Sequence, residues 1–352
     1  WYGVMFALAF LLSQQIMIYI FKKEGKEQRD LDDLTIYMIV ATVLGARFGH
    51  VLFYEPEKYW PNVWDVFKFW QGVLASHGAA IVILLVIWIY TKYEIKIMSF
   101  KAKPAVRKGQ NFWWVVDRIV IVVAIAGCCI RLGNFINSEI VGKPSEAPYA
   151  VVFGRWAEEA TLFQPGVMSA ELSKSDTVYQ IESGRTHVMM TVGFDNTVNT
   201  AAQAAEKSRE IIDILPRYPY VAKHVQPSTA SGGIHHLKVS KGTEGYEAKL
   251  YLEGIHRHAA QLYESISCLL LFFVLFFIWK RYKTSLPDGL LFGVFLIILF
   301  GLRFFYEFIK ENQVAFEDDI ALNMGQWLSI PLVLVGIFVV IRALKQTKRA
   351  EA

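Results

Sequence analysis

Seven stretches of nearly uninterrupted apolar residues, at 2–21, 33–53, 73–90, 115–136, 264–279, 287–308 and 325–343, govern what this chain can fold into. A helix needs roughly 17–25 such residues to cross a hydrocarbon layer about 30 Å thick, and only structures that satisfy their backbone hydrogen bonds internally persist there. The 54% hydrophobic content is therefore gathered into spans rather than spread through one soluble core. The third and fifth stretches are short, which predicts a tilted or partly re-entrant course.

Lysine and arginine set the expected orientation, because short loops rich in them stay on the cytoplasmic side. Lys22, Lys23, Lys26 and Arg29 follow the first stretch, and Lys92, Lys96, Lys101, Lys103, Arg107 and Lys108 follow the third. Lys280, Arg281 and Lys283 follow the fifth, and Lys345, Lys348 and Arg349 the last. The alternate loops hold few basic residues, with only Lys58 and Lys68 in 54–72 and mostly acidic side chains in 310–324. The N-terminus is thus expected outside and the C-terminus inside. Trp1 already stands at a membrane edge, so a short outer segment is expected upstream, and the first stretch lacks the small-residue pattern of a cleaved signal peptide.

Basic flanks of this kind account for the net charge of +4 and leave no case for nucleic acid as a partner. Cys128 and Cys129 are neighbours in one stretch and Cys268 lies in another, so they read as small core residues rather than a disulfide or metal framework.

Residues 155–255 have the polarity and alternation of a small folded module and are too long for a plain linker. Val188, Met190 and Val192 alternate as in a strand, as do Ile234–Val239 and Ala248–Leu252, and Asp195-Asn196-Thr197 offers N-cap chemistry to an Ala-rich helix over 198–214. The expected fold class is an α-helical polytopic membrane protein of about seven transmembrane helices with a small α+β insert on the outer side. It divides into 1–154, the insert 155–255, and 256–352 with the tail. His187, His224, His235, His236, His256 and His258 crowd the insert and its edge. His235 and His236 would point to opposite strand faces and no HxxxH or Cys pairing accompanies them, so no metal is expected.

Charged groups are costly inside a bilayer, about 2.5–3.5 kcal/mol each at its centre on insertion scales, so their depth is informative. Arg47, Arg131 and Arg303 each fall roughly 21–24 Å along a helix that runs outward. His77 lies in the first turn of an inward-running stretch, and Tyr2 opens the first stretch from outside. Five polar or basic residues from five segments thus reach the outer-leaflet level. Clustered guanidinium forks match phosphate oxygens bidentately. Singly, each arginine could equally snorkel to headgroups, and His77 could be a satisfied packing histidine. Arg118 beside Asp117 reads as an anchor or ion pair. Asn134, Asn137, Glu139 and Gly142 follow Arg131 in a polar stretch, and Arg303 and Glu307 stand at i and i+4 on one helix face.

The order of these motifs resembles the prolipoprotein diacylglyceryl transferases over 1–154 and 256–343. The opening Trp1-Tyr2-Gly3 is followed by Gly45-Ala-Arg47-Phe-Gly-His-Val-Leu-Phe-Tyr54, Ser76-His77-Gly78 and the signature-like Arg131-Leu-Gly-Asn-Phe-Ile-Asn-Ser-Glu139. Then come Arg257-His258-Ala-Ala-Gln261-Leu-Tyr263-Glu264, Arg303 to Glu307 and Met324-Gly325-Gln326-Trp-Leu-Ser329. The chain departs from the family pattern at Gly78-Ala79, where Gly-Gly is usual, at Ala259-Ala260, where Pro-Ser is usual, and in its enlarged insert.

The resemblance implies that phosphatidylglycerol gives its diacylglyceryl group to the lipobox cysteine thiol in a prolipoprotein signal peptide, at the periplasmic face of a bacterial inner membrane. A thioether forms and glycerol phosphate leaves, without metal or organic cofactor. It implies His77 as a base, with Arg131 and Arg303 stabilising the leaving phosphate. Tyr2, Arg47, Asn134, Asn137, Glu139, Gly142 and Glu307 would position the headgroup or the arginines. An intramembrane phospholipid hydrolase and a lipid transporter stay open as alternatives, although neither a Gly-x-Ser-x-Gly elbow nor paired repeats occur.

Overall fold

A computed structural model describes residues 1–352 except 54–55, 60–62, 68–75, 97–100, 106, 176–180, 182, 229–236, 243–244, 312–320 and 352. In chain order the helices are α1 (Tyr2–Lys23), α2 (Gln28–Phe53), α3 (Pro56–Tyr59), α4 (Ser76–Lys92), α5 (Phe112–Ile136), α6 (Arg155–Leu162), α7 (Ala201–Ile214), α8 (Pro219–Ala222), α9 (Ala260–Tyr282), α10 (Leu290–Tyr306) and α11 (Met324–Glu351). The strands are β1 (Tyr93–Lys96), β2 (Lys101–Pro104), β3 (Val167–Lys174), β4 (Arg185–Phe194), β5 (Val225–Pro227), β6 (Leu237–Lys241) and β7 (Tyr246–Ile255).

Among the described residues five helices are long and apolar enough to cross a membrane, namely α1, α2, α5, α9 and α11, and shorter apolar helices cover Gly78–Lys92 and Leu290–Tyr306. The short members are therefore α4, as expected, and α10, whereas the fifth stretch is a full 23-residue helix. Its first turns carry Gln261 and Glu264 and its last carry Lys280 and Arg281, so its ends are helical without being apolar.

Two compact units divide the chain. One comprises Phe6–Cys129, Ile266–Leu302 and Trp327–Ala352. Its core is built from Ile20, Phe21, Leu31, Leu34, Ile87, Tyr90, Ile121, Leu275 and Trp279, all nearly inaccessible. Glycines let α2 and α4 approach at backbone distance: a Cβ on Gly45 would stand 2.8 Å from the Gly78 carbonyl oxygen. Arg118 pairs with Glu24 at 2.9 Å rather than with its neighbour Asp117. The same carboxylate accepts from Trp114 Nε1 at 2.8 Å and Trp279 Nε1 at 2.6 Å. Asp117 accepts from the Gly289 and Phe292 amides at 2.8 and 2.9 Å, which caps the start of α10. These buried charges are thus partnered, as burial requires.

The other unit comprises Trp1–Met5, Ile130–Ser265 and Arg303–Gln326. Its antiparallel sheet runs β3-β4-β7-β5, with β6 also paired to β7. Val188 faces Leu252, Met190 faces Leu250 and Val192 faces Ala248 across β4 and β7. With a side-chain period of two, these inward positions share one face, and Ala204, Ile211 and Ile212 of α7 join the same core. The alternation at Val188–Val192 and the strand at Ala248–Leu252 stand as read from sequence. Of Ile234–Val239, residues 234–236 lie outside the described ones, and the rest begins β6. The cap of α7 differs from the expectation: Thr200 Oγ1 accepts from Gln203 N at 3.2 Å, and Gln203 Oε1 accepts in return from Asn199 N at 3.0 Å. Asp195 instead closes its own turn, accepting from Thr197 N at 2.8 Å.

Candidate active site

Helix α5 runs through Arg131 and Asn134 to Ile136 and then stops without a glycine. Glu139 N donates to the Asn134 carbonyl at 2.9 Å and Ser138 N to that of Phe135 at 3.0 Å, the two bonds of a Schellman end. Ser138 sits at φ 58° and Ile140 at φ 55°, left-handed positions that cost about 1–3 kcal/mol each outside glycine. Between them, Glu139 turns back over the helix end, where its carboxylate accepts from Asn134 Nδ2 at 2.9 Å and Asn137 Nδ2 at 3.2 Å. Arg155 Nη1 donates to Asn137 Oδ1 at 2.6 Å, and Trp156 Nε1 to the Ser138 carbonyl at 3.1 Å. Gln261 Nε2 donates to the Glu139 carbonyl. Asn134, Asn137 and Glu139 therefore hold one another, and this triad fixes the strained turn.

Gly142 lies in a slot between two backbones. Its amide donates to the His258 carbonyl at 3.0 Å, and its carbonyl accepts from Arg257 Nη1, also at 3.0 Å. Arg257 is 3% exposed, and its Nε donates to the Lys223 carbonyl at 2.9 Å. Burial pulls this guanidinium below its ordinary pKa, and the Glu311 carboxylate opposes that. His258 Nδ1 lies 3.3 Å from the Tyr263 hydroxyl.

Five charged side chains alternate in sign along a single run. Arg131 Nε is 2.6 Å from Glu264 Oε2, and Glu264 Oε1 contacts Lys310 Nζ. Lys310 Nζ is in turn 3.1 Å from Glu307 Oε1, which is 3.5 Å from Arg303 Nε. Glu307 Oε2 accepts from Asn323 Nδ2 at 3.1 Å. Lys310 is 4% exposed while the arginine side chains are 25% and 32% exposed, so the ends of the run are open and its middle is closed.

Of the residues singled out from sequence, Tyr2, Arg131, Asn134, Asn137, Glu139, Gly142, Arg303 and Glu307 lie in this unit. Tyr2 packs near Gly133, whose Cβ would stand 3.5 Å from the Tyr2 ring. Arg47 and His77 belong to the other unit. Arg47 is 1% exposed, donates to the Val66 carbonyl at 2.9 Å and the Asp65 carbonyl at 2.8 Å, and lies over the Tyr59 ring. It latches a short 3-10 turn at Val63–Phe67. His77 stands in the first turn of α4, and its side chain lies outside the described ones.

Glu264 and Lys310 are not among the site residues expected from the sequence. Glu264 closes the Arg257–Glu264 motif, and Lys310 stands three residues after Glu307, on the same side of a helical turn, a spacing that could have flagged it.

A set of apolar spans ending in a run of three cations and two anions defines a multi-pass membrane protein with a site suited to an anionic group. Comparison of the sequence makes this specific. The chain belongs to the prolipoprotein diacylglyceryl transferase family, whose model matches residues 1–342. It is 31% identical to the phosphatidylglycerol–prolipoprotein diacylglyceryl transferase of Tolumonas auensis over 99% of this chain and 93% of that one. The proteins of the same name in Chloroherpeton thalassium and Bacteroides fragilis are 29% and 28% identical, over 99% and 96% of this chain and 89% and 87% of theirs.

Proposed function

We propose that this enzyme moves the diacylglyceryl group of phosphatidylglycerol onto the lipobox cysteine of a prolipoprotein signal peptide, the first step of lipoprotein maturation. Family membership over nearly the whole chain carries the transfer from phosphatidylglycerol to prolipoprotein. In the finer course, the cysteine thiolate attacks the diacylglyceryl carbon bonded to phosphate oxygen. The carbon–sulfur bond forms, the carbon–oxygen bond breaks, and glycerol phosphate leaves with one more negative charge than the phosphate had in the lipid.

That extra charge is what the site must stabilise, and preorganised cations act where charge develops. The observation that carries this reading is the alternating run: Arg131 and Arg303 meet their carboxylates through Nε, leaving the Nη edges as donors for phosphate oxygens. A free cysteine has a pKa near 8.5, so its proton needs an acceptor, and we assign that role to His77. Tyr2, beside Gly133 at the end of α5, would meet the headgroup. The Asn134–Asn137–Glu139 triad, Gly142 and Glu307 hold the backbone and the arginines in place.

Seven spans would place these groups at the outer face of the inner membrane, with the N-terminus outside, the C-terminus inside and the insert periplasmic. The positive loops after α1, α4 and α9 support that orientation. The test is a liposome assay with phosphatidylglycerol and a lipobox peptide, scoring thioether-linked lipid. Intact protein should modify the peptide and Arg131→Ala should not. Consumption of phosphatidylglycerol without peptide modification would instead favour hydrolysis.

A further inference from the structure

Lys310 sits at the centre of the charge run, and its place there has a consequence for both arginines. Its ammonium contacts Glu264 Oε1 and lies 3.1 Å from Glu307 Oε1, while only 4% of the side chain is exposed. It is therefore too enclosed to meet a lipid itself.

A carboxylate facing a guanidinium tends to take it bidentately, with two parallel N–H···O bonds. Neither glutamate does so here. Glu264 offers one oxygen to Arg131 Nε and gives the other to Lys310. Glu307 shares one oxygen between Arg303 Nε and Lys310 and gives the other to Asn323. Lys310 thus contacts both carboxylates, Glu264 Oε2 and Arg303 Nε stand in ion-pair range without a hydrogen bond, and among the described residues no hydrogen bond engages the Nη groups of either arginine.

We propose that Lys310 is a positioning residue that occupies the carboxylates of Glu264 and Glu307 and so keeps the Nη edges of Arg131 and Arg303 open to the lipid phosphate. With Lys310, three cations face two anions and one positive charge is left for a singly charged phosphodiester. Without it the run is neutral, and each glutamate is released to close over its own arginine. This rests on the reading of the two arginines as the phosphate site.

The experiment measures binding of short-chain phosphatidylglycerol to the full chain in detergent, with turnover scored separately. Lys310→Met should raise the Kd at least about tenfold, and Lys310→Arg should stay within about threefold, tenfold corresponding to about 1.4 kcal/mol. The decisive variant combines Lys310→Met with Glu264→Gln. It restores one net positive charge and removes a carboxylate that would otherwise capture Arg131, so most of the lost affinity should return. A purely structural lysine would not be rescued in this way.

Lys310→Gln serves as the neutral variant should the methionine one fail to fold. The proposal is overturned when the neutral variants bind as the intact protein does, when the double variant binds no better than the single one, or when intact protein binds diacylglycerol as tightly as phosphatidylglycerol. Intact protein that binds phosphatidylglycerol but forms no thioether would count against the transfer reading alone, and the Kd comparison would still decide the role of Lys310.

Discussion

Replacing Gly142 by alanine should disable the enzyme although the new methyl group touches no substrate. An added Cβ would stand 2.5 Å from His258 Cβ, 2.6 Å from the His258 carbonyl oxygen and 3.0 Å from the Ile309 carbonyl oxygen. Carbon atoms pack at about 3.5–4.0 Å, so His258 would have to retreat by about 1 Å. It is tied in place by the Gly142 amide on its carbonyl at 3.0 Å and by its own amide on the Lys143 carbonyl at 3.1 Å. Lys143 N is bonded to the Ile309 carbonyl at 2.8 Å, which blocks the other direction. His258 leads into Gln261 and Glu264, and Ile309 precedes Lys310, so a shift reaches the charge run from both sides. Overpacking of this kind costs about 1–3 kcal/mol of stability. A displacement of about 1 Å at a reacting site can cost about 10²-fold in rate. The assay is peptide lipidation beside thermal unfolding in detergent. The control is Gly301→Ala, where a Cβ meets nothing within 4 Å. Full activity and an unchanged Tm in Gly142→Ala would refute the argument.

Thr200→Ala removes the cap of α7 and should cost about 1 kcal/mol in denaturant unfolding with lipidation intact. Ser138→Gly relieves a left-handed residue and should raise stability by about 1 kcal/mol, whereas a fall would show that the hydroxyl matters more than the backbone. Glu139→Ala leaves Asn134, 5% exposed, without its carboxylate, and should lower both Tm and activity, each charged hydrogen bond being worth about 1.5–3 kcal/mol. His224 is held neutral, its pKa lowered to about 4 by burial first and then by Arg257 and Lys223, with Glu311 opposing. The unfolded chain therefore binds the extra proton first as pH falls below about 6.5, and stability present above that value drains away toward pH 4. About 2 kcal/mol should be gone by pH 5, and His224→Phe should remove most of that pH dependence in unfolding measured at pH 7.5 and 5.

The apolar stretches are legible from residue order alone, because a run of apolar residues has one economical use in a bilayer and its length sets its reach. The same holds for the strands at Val188–Val192 and Ala248–Leu252, since alternation is a local signal. Helix ends were less legible where polar residues belong to the helix, as at Gln261 and Glu264. The Thr200 cap was hidden behind an equally suitable Asp195. The partners of the polar residues depend instead on how the folded chain brings distant segments together. Asn134, Asn137 and Glu139, read from sequence as positioning the headgroup or the arginines, bind one another across a turn whose strain at Ser138 and Ile140 no glycine announces. Gly142 read as a site residue and lies in a slot made by His258 and Ile309, more than a hundred residues away. The spacing of Glu307 and Lys310 is local, but the contact of Lys310 with Glu264 depends on where two distant segments meet in space, which no local pattern records.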